Sequence, residues 1–364
     1  MADDTQSGTQ WIGGAEPPAE VRAMNSAQIL EKECREQPER LAELVKAYAE
    51  DGVIREQLAK VRAIAGPVLF TGMGASFCSA VAAVSFLQSQ GRSAFLADAG
   101  EWLHYGVPLW GQVAGTVLLT TSGESAEPVE LCKKNPGKPL ALVCNNEHSR
   151  CWSLADTRLP ILAGPEYGNA TKTYTNATAA AIIAASEMLE REWREDAKRT
   201  LEVFADTLNS VLAMRRTVEE FCRGAANIEV IGRGPAYGAA FMGALCIREM
   251  TGLRVAAHTG AGFRHGPLLD VSETHVAMIL AVGRVAQLGV KLATDCVQRG
   301  GRVILVSAEE HDTLERLLPV KIAAVAEPWE ATTSMLVLQA LTLGMVEKTG
   351  AKLPPRFSYG PMVE

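Results

Sequence analysis

Four hydroxyl side chains within six residues form the clearest candidate binding site in this sequence. Residues 120–125 read Thr-Thr-Ser-Gly-Glu-Ser, follow the apolar run 117–119 and precede a predicted helix. Backbone N–H groups at a helix start, the positive end of the helix dipole and nearby hydroxyls can together bind phosphate without a lysine. Thr120, Ser122 and Ser125 therefore predict a phosphate site. The alternative is that Ser125 simply caps the helix and its neighbours are solvated.

The surroundings of this loop recur 160 residues later, without the hydroxyls. The Gly-x-Gly turn that begins at Gly72 recurs at Gly232, and Gly123 has its counterpart at Gly283. In both halves the two landmarks are 51 residues apart. The sequence therefore predicts a duplicated α/β unit in which only the first copy kept a phosphate-binding loop.

Short apolar segments alternate with helical patterns through most of the chain, which predicts an α/β fold with mostly parallel sheets and helices on both faces. The predicted strands are 67–71, 93–97, 116–120, 139–144, 159–162, 228–231, 254–258, 275–281, 302–307 and about 320–325. Long helices over 175–192 and 194–223 should join the two units. Helical packing is also expected over 27–63, with a break near Pro38.

Charge and cysteine usage exclude several classes of protein. The net charge is −7 and the basic residues are scattered, so no surface for nucleic acid is indicated. The eight cysteines form no CxxC pair and no metal-like spacing with histidine, which favours buried free thiols. No segment is long and apolar enough to span a bilayer, and no signal peptide is evident. We therefore predict a cytoplasmic globular protein with no metal, no cofactor, no nucleic-acid partner and no membrane association.

Four ordered motifs resemble the double-SIS phosphosugar isomerase family. They are residues 120–125, the turn 72–76 (Gly-Met-Gly-Ala-Ser), the segment 164–172 (Gly-Pro-Glu-Tyr-Gly-Asn-Ala-Thr-Lys) and 262–267 (Gly-Phe-Arg-His-Gly-Pro). The family includes the isomerase half of glucosamine-6-phosphate synthase, aminosugar-phosphate deaminases and tagatose-6-phosphate ketose/aldose isomerases. The resemblance extends from about Met24 to the C-terminus. It implies two flavodoxin-like, doubly wound SIS units in tandem, a homodimer with shared active sites, and a hexose or hexosamine 6-phosphate as ligand.

The resemblance also implies a division of the chain and a set of binding residues. We expect a mobile leader over 1–23, N-terminal helices and a phosphate-binding first SIS domain over 24–192, a catalytic second SIS domain over 193–350, and a tail near the active site over 351–364. The substrate-binding residues that it implies are Gly74, Ala75, Ser76, Thr120, Thr121, Ser122, Ser125, Glu166, Asn169 and Lys172. Ala75 stands where the family often has threonine, so one hydroxyl contact is missing. An ion pair between Glu166 and Lys172 that holds their loop is the alternative to substrate contact.

Two residues match the catalytic positions of the synthase branch, a glutamate after the second Gly-x-Gly turn and a histidine sixteen residues later. Glu249 and His265 stand at that spacing. The resemblance implies that Glu249 is the base that moves a proton between C2 and C1 through a cis-enediol. It implies that His265, which in the family often reaches the neighbouring subunit's site, shuttles a proton during ring opening.

Departures from the family pattern leave three functions open. Cys246 replaces the lysine of the synthase branch, and Met362 replaces a tail lysine, which argues against Schiff-base chemistry. No glutaminase domain is seen, so we expect no glutamine-dependent synthase reaction. The phenylalanine at position 263 resembles the pattern of the tagatose-phosphate isomerase and deaminase branches more than that of the synthase, which has a glutamate there. We favour an aldose–ketose isomerase of a sugar 6-phosphate; the alternatives are an aminosugar-6-phosphate deaminase that releases ammonia and a non-catalytic sugar-phosphate sensor.

Overall fold

Two parallel sheets of five strands each organise residues 18–350, the part of the chain that this computed structural model describes. The first sheet contains β1 Val68–Gly72, β2 Ala94–Asp98, β3 Gly115–Thr120, β4 Leu140–Cys144 and β5 Thr157–Pro160. The second contains β6 Asn227–Gly232, β7 Val255–Thr259, β8 His275–Ala281, β9 Arg302–Ser307 and β10 Leu317–Lys321. Their orders, β2-β1-β3-β4-β5 and β7-β6-β8-β9-β10, are the same. The predicted duplication of a doubly wound α/β unit is confirmed.

Helices precede, connect and cover these strands. In the first half they are α1 Ala19–Arg22, α2 Ser26–Glu50, α3 Gly52–Arg62, α4 Ala75–Ser89, α5 Ala99–Glu101, α6 Ala126–Lys134, α7 Arg150–Leu154 and α8 Lys172–Met188. In the second half they are α9 Arg194–Ala213, α10 Arg215–Cys222, α11 Ala236–Thr251, α12 Gly260–Arg264, α13 Pro267–Asp270, α14 Ala286–Gln298 and α15 Glu330–Thr349. Short π and 3₁₀ turns fill Trp102–Gly106, Val107–Gln112 and Gly283–Val285.

Both faces of each sheet are buried, because successive strand residues point to opposite faces. In β3, Val117 and Leu119 pack into the large core that both units share, whereas Leu118 packs into a separate apolar cluster. In β8, Met278 enters the shared core and Ile279 enters the outer cluster of the second unit. Continuous apolar strands are the expected sequence for such doubly covered parallel sheets.

The N-terminal helices differ from the prediction at Pro38. Helix α2 runs through this proline, which has no N–H to donate to the carbonyl of Cys34. The Gln37 side chain supplies the missing donor, with its Nε2 3.1 Å from the Cys34 oxygen. The expected break near Pro38 was therefore wrong. The chain turns instead at Asp51, whose carboxylate caps α3 by accepting from the N–H of Val53 at 2.7 Å.

Four further boundaries depart from the sequence-based expectation. Helix α8 begins at Lys172 rather than at residue 175, and every one of its residues is buried, so it carries no amphipathic pattern that would mark its start. The expected helix over 194–223 is divided at Met214 into α9 and α10. Strands β5 and β10 each begin two or three residues earlier than predicted.

The two units meet through α11, which packs against α4 and α15. A Cβ atom at Gly238 would lie 2.5 Å from the carbonyl oxygen of Cys78, so only glycine permits this approach of α11 to α4. Phe77 and Phe241 add an edge-to-face contact with ring centroids 6.0 Å apart. This packing places the first turns of α11 against α4 of the first unit.

The predicted leader and tail lie at or beyond the ends of the described residues. Helix α1 lies within the expected leader, and the rest of that leader and the tail, including Met362, lie outside residues 18–350. All eight cysteines are buried free thiols, as predicted. Across the described part of the chain, no helix has the length and apolar character needed to cross a membrane.

Candidate functional site

The hydroxyl loop lies at the carboxyl edge of the first sheet, between β3 and α6. Gly123 has φ +66°, and a Cβ atom there would lie 2.1 Å from Ser149 Oγ, so the loop requires glycine at this position. Thr120 Oγ1 accepts from the Gly123 N–H and Ser122 Oγ accepts from the Glu124 N–H, each at 3.2 Å. Two of the predicted phosphate ligands therefore also shape the loop as acceptors.

The remaining predicted hydroxyls have no side-chain hydrogen bond among residues 18–350. They are those of Ser76, Thr121 and Ser125. Ser125 stands at the N-cap position of α6, but its side chain makes no capping bond. The alternative in which Ser125 merely caps this helix is therefore wrong. At the start of α6, the backbone N–H groups of Ala126 and Glu127 have no partner among residues 18–350, so they are available to an anion.

The first Gly-x-Gly turn brings Ser76 next to the hydroxyl loop. A Cβ atom at Gly72 would lie 2.9 Å from the carbonyl oxygen of Leu119 and 3.0 Å from Ser76 Cβ, so β1, β3 and the start of α4 are in close contact. Gly74 has φ +52° and is exposed, and Ala75 begins the helix without a hydroxyl. The turn thus contributes the Ser76 hydroxyl to the same edge, while the backbone N–H groups of Ser76 and Phe77 donate to the Met73 carbonyl.

An acidic residue within the loop is neutralised by an arginine that follows β4. Glu124 Oε2 lies 2.6 Å from Arg150 Nε, and Glu124 Oε1 accepts from the Arg150 backbone N–H at 2.9 Å. Burial alone would raise the pKa of Glu124, but the hydrogen bonds from Arg150 outweigh it and lower that pKa. The Arg150 cation therefore offsets a charge that would otherwise repel phosphate.

The predicted contact residues Glu166 and Lys172 are held by the protein. Glu166 is only 1% exposed and accepts from the backbone N–H of Thr171 at 3.0 Å, the hydroxyl of Thr171 at 2.7 Å and the backbone N–H and hydroxyl of Thr173. Lys172 forms a buried ion pair with Glu36 of α2. The two side chains thus have separate partners, and the Glu166–Lys172 ion pair that was the alternative is not what holds this segment.

Asn169 connects the first unit to Glu249 of the second. Its Nδ2 lies 3.1 Å from Glu249 Oε2. The loop that carries Asn169 is tied to the hydroxyl loop through Asn145, whose Nδ2 donates to the Gly164 carbonyl at 2.9 Å and whose backbone N–H donates to the Thr121 carbonyl at 3.2 Å. The carboxylate of Glu249 therefore lies at the same edge of the first sheet as the hydroxyl loop.

The charge of Glu249 also reaches the helix that carries Ser76. Burial raises the pKa of Cys78 to about 12, and the nearby Glu249 carboxylate adds to that rise. Cys78 lies two residues after Ser76 on α4. The Glu249 carboxylate of the second unit thus acts electrostatically on α4, the helix that begins beside the hydroxyl loop.

His265 does not join Glu249 within one chain. Strand β7 ends level with β6, since Thr259 pairs with Gly232, and the exposed His265 follows α12 at this carboxyl edge of the second sheet. Helix α11 runs away from that edge, and at 1.5 Å per residue Glu249 lies about 20 Å along it from Ala236. The two predicted catalytic residues are therefore at opposite edges of the second sheet.

Comparison with known proteins identifies the second unit. Residues 223–346 match the family model described as the SIS domain. This unit is a SIS domain. The first unit has the same strand order as the SIS domain, and its Gly74 and Gly123 have nearly the same φ values as Gly234 and Gly283 of the SIS domain.

Relatives extend the similarity over both units. A glutamine–fructose-6-phosphate aminotransferase (isomerizing) from Zymomonas mobilis is 26% identical over 313 residues, which are 80% of this chain and 50% of the relative. The chain spans about half the length of the curated relatives it matches. The resemblance to proteins that contain phosphosugar isomerase modules is confirmed.

Solved structures show the same fold. The C-terminal domain of glucosamine-fructose-6-phosphate aminotransferase from Francisella tularensis has a TM-score of 0.78 at 21% identity and covers 90% of this chain and 98% of its own. Tagatose-6-phosphate ketose/aldose isomerase from Escherichia coli has a TM-score of 0.74 at 17% identity and covers 96% of this chain and 99% of its own. The tandem arrangement of the first unit and the SIS domain is thus shared with both structures.

Several residues of the site were missed by sequence reasoning. Arg150 follows β4, next to the strand that carries the loop, so strand adjacency was a usable clue to its ion pair with Glu124. Glu33 of α2 accepts from the N–H of Gly168 at 2.9 Å, and a Cβ atom at Gly168 would lie 2.4 Å from its Oε2, a tertiary contact with no local signature. Among residues 18–350, no cluster of three histidine, cysteine or acidic side chains forms a metal site.

Proposed function

We propose that this protein is a phosphosugar isomerase that interconverts an aldose 6-phosphate and a ketose 6-phosphate through a cis-enediol. The observation that carries the proposal is the hydrogen bond from Asn169 to Glu249, because it joins a carboxylate of the SIS domain to the edge of the first unit that holds the unpartnered hydroxyls. A phosphate at the hydroxyl loop would anchor one end of the sugar. The other end would extend toward Glu249.

The hydroxyl loop supplies the phosphate contacts in this proposal. Ser76, Thr121, Ser122 and Ser125 donate from their hydroxyls, and the N–H groups of Ala126 and Glu127 at the start of α6 add backbone donors. No lysine or arginine is needed at the phosphate itself. The Arg150–Glu124 pair keeps the loop from presenting a net negative charge. Binding energy from this remote end holds the reacting carbons in place.

Glu249 acts as the base in the proton transfer. It removes the proton from C2 of the open-chain aldose, and the electrons of that C–H bond form the C1–C2 double bond while the carbonyl oxygen gains a proton. The protonated carboxyl then delivers a proton to C1 as the C2 hydroxyl becomes the carbonyl. Only protons move, so the reaction needs no redox partner.

Ring opening requires a second proton shuttle, and His265 suits it chemically. Because His265 lies far from Glu249 in the same chain, the proposal assigns this role to His265 of a second copy in a homodimer. The exposure of His265 on a turn at the sheet edge supports such sharing. We expect the specific activity to depend on protein concentration. The Glu249→Gln and His265→Ala proteins should each be inactive alone and should regain activity when they are mixed.

A panel assay tests the reaction itself. The protein is incubated with hexose, hexosamine and fructosamine 6-phosphates while ketose formation and ammonia release are followed together, with Glu249→Gln as the matched inactive control. Ketose formation without ammonia supports the isomerase. Ammonia release from an aminosugar phosphate would replace it with the deaminase. Thermal stabilisation by one compound without turnover of any would contradict both and identify a sensor.

A further inference from the structure

The side chain of Asn169 makes three contacts with one face of α11. Its Nδ2 lies 3.1 Å from Glu249 Oε2 and 3.4 Å from the backbone carbonyl oxygen of Cys246. Its Oδ1 lies 3.0 Å from Cys246 Sγ. Cys246 and Glu249 are three residues apart in the helix, so they are neighbours on the same face. Asn169 is only 2% exposed, and its amide group is fully used by these partners.

These partners determine which way the amide group faces. Nδ2 points at two acceptors, a carboxylate and a carbonyl, whereas Oδ1 points at a thiol donor. Rotating the amide by 180° would place its oxygen against both acceptors and leave the thiol only the more distant carbonyl oxygen of Ala170, at 3.9 Å, which costs free energy at a buried position. The helix thus fixes Asn169, and Asn169 in turn presents an N–H to one oxygen of Glu249.

The thiol can hold this arrangement only while it is protonated. Burial, with a contribution from the Glu249 carboxylate, raises the pKa of Cys246 well above its ordinary value. Cys246 therefore remains an S–H donor throughout the neutral range. A second sulfhydryl nearby, that of Cys78, lies in electrostatic range of Glu249 but is not among the hydrogen-bond partners of the Asn169 side chain.

We propose that Asn169 is a positioning residue that aims the Glu249 carboxylate, and that the Cys246 thiol sets the amide orientation of Asn169. This role rests on the proposed function, in which Glu249 is the base. In this proposal Asn169 acts on the reaction through Glu249 and is not itself the substrate contact that the sequence predicted. A carboxylate that accepts from Asn169 has one oxygen held in place, which restricts the orientation of the whole group.

The first test follows the ionisation of Glu249 directly, so it does not depend on turnover. Carboxyl-¹³C-labelled glutamate is titrated by NMR, and the Glu249 signal is assigned from its loss in Glu249→Gln. Asn169→Leu keeps the volume and removes the donor to the carboxylate, so the midpoint should rise by about one pH unit. Cys78→Ala, the matched control, should leave it unchanged. An unchanged midpoint in Asn169→Leu overturns the proposal.

The second test separates the thiol from the amide. Cys246→Ala should raise the midpoint by less than Asn169→Leu does, and Cys246→Ser, which keeps a donor, should restore the wild-type value. Because the thiol acts through Asn169, the double variant should match Asn169→Leu alone. If Asn169→Leu fails to fold, the Ala and Ser variants at Cys246 still decide, since equal midpoints in these two proteins contradict a role for the donor.

Kinetics then connect the geometry to the reaction. With an active sugar phosphate, Asn169→Leu should lower kcat about tenfold with little change in KM, and the acid limb of the pH–kcat profile should move with the NMR midpoint. A tenfold rise in KM with an unchanged kcat would instead make Asn169 a substrate contact and overturn the positioning role. Absence of turnover on every sugar phosphate would refute the proposed function while the NMR result still stands on its own.

Discussion

The loops that contain Gly123 and Gly283 lie at the carboxyl edges of the two sheets. Their glycines have nearly the same φ value, but the side chains that surround them differ in chemistry. Gly123 and Gly283 have φ values of +66° and +68°. Against Gly123 lies the hydroxyl of Ser149, 2.1 Å from the position of an added Cβ atom, and against Gly283 lies the carboxyl of Glu330, at 2.4 Å. The first loop is surrounded by hydroxyl donors, whereas the second is closed by an acid.

The duplication thus preserved the fold and the glycine turn, but not the side chains around the turn. Burial, with a smaller contribution from Glu327, raises the pKa of Glu330 to about 8. A small cavity of about 10 Å³ beside the second loop leaves room for at most one water. Most of the residues that line this cavity are apolar, Arg233 is the one cation among them, and the Glu330 carboxyl lies against Gly283 of the loop. Ligand binding is therefore set by the side chains around the turn, while the turn itself is a property of the fold.

The largest expected effect concerns the buried acid of the second loop. The unfolded chain releases the Glu330 proton near pH 4.5, whereas the folded protein keeps it until about pH 8, so stability falls as pH rises between these values. In Glu330→Gln this loss is absent. Measured by urea unfolding, the stability of the variant relative to wild type should therefore increase by roughly 4–5 kcal/mol between pH 4 and pH 9, at 1.36 kcal/mol per pKa unit. A constant difference across this range would contradict the account of the second loop.

The next prediction compares the carboxyl groups of Glu249 and Glu330, both in the second unit. Glu249→Gln removes the proposed base and should lower kcat by about 10³-fold with little change in KM, as expected for loss of general base catalysis. Glu330→Gln, at the other edge of the same sheet, should change kcat less than twofold at pH 7. Steady-state kinetics on the sugar phosphate that the panel assay identifies distinguish the two. Equal losses in both variants would mean that Glu249 has no special role.

A smaller effect separates the loops as binding sites. Ser125→Ala removes one hydroxyl donor from the first loop and should weaken binding of a hexitol 6-phosphate, which cannot isomerise, by about tenfold, the usual loss for a hydrogen bond to a charged group. Arg284→Ala removes the exposed cation of the second loop and should leave the affinity unchanged. Calorimetric titration measures both. Weaker binding in Arg284→Ala alone would reverse the assignment.

The smallest effect concerns the charge balance of the first loop. Arg150→Ala leaves Glu124 without its cation, so affinity for the same hexitol phosphate should fall about threefold at low salt. Because the pair is partly exposed, added salt should reduce the difference. Glu124→Gln in the Arg150→Ala background should restore most of the affinity. A salt-independent loss would point to a structural role of Arg150 instead.

The sequence was sufficient for the fold because each unit follows local rules. The predicted bounds of β8 agree with the structure, and the helix predicted after residues 120–125 begins at Ala126, because a strand end, a glycine and a helix start follow one another in the chain. Pro38 misled the helix prediction because the compensating donor of Gln37 is a side-chain conformation that composition does not reveal. The buried start of α8 has no polar face to mark it.

The site was harder to predict wherever it depends on distant contacts. Asn169 and Glu249 are 80 residues apart, and only the packing of α11 on the first unit brings them together. The sixteen-residue spacing of Glu249 and His265 says nothing about distance, because α11 carries one of them away from the edge at which the other lies. Glu330 faces Gly283 from the start of α15, and nothing in its local sequence shows this.

The most direct measurement follows the backbone amide signals of Gly123 and Gly283 by NMR while a hexitol 6-phosphate is added. Phosphate binding by the first loop predicts a saturable shift of the Gly123 signal and no shift at Gly283. The Ser125→Ala protein should need about tenfold more ligand for the same shift. A saturable shift confined to Gly283, or ligand-induced shifts in neither loop, would contradict the assignment of phosphate binding to the first unit.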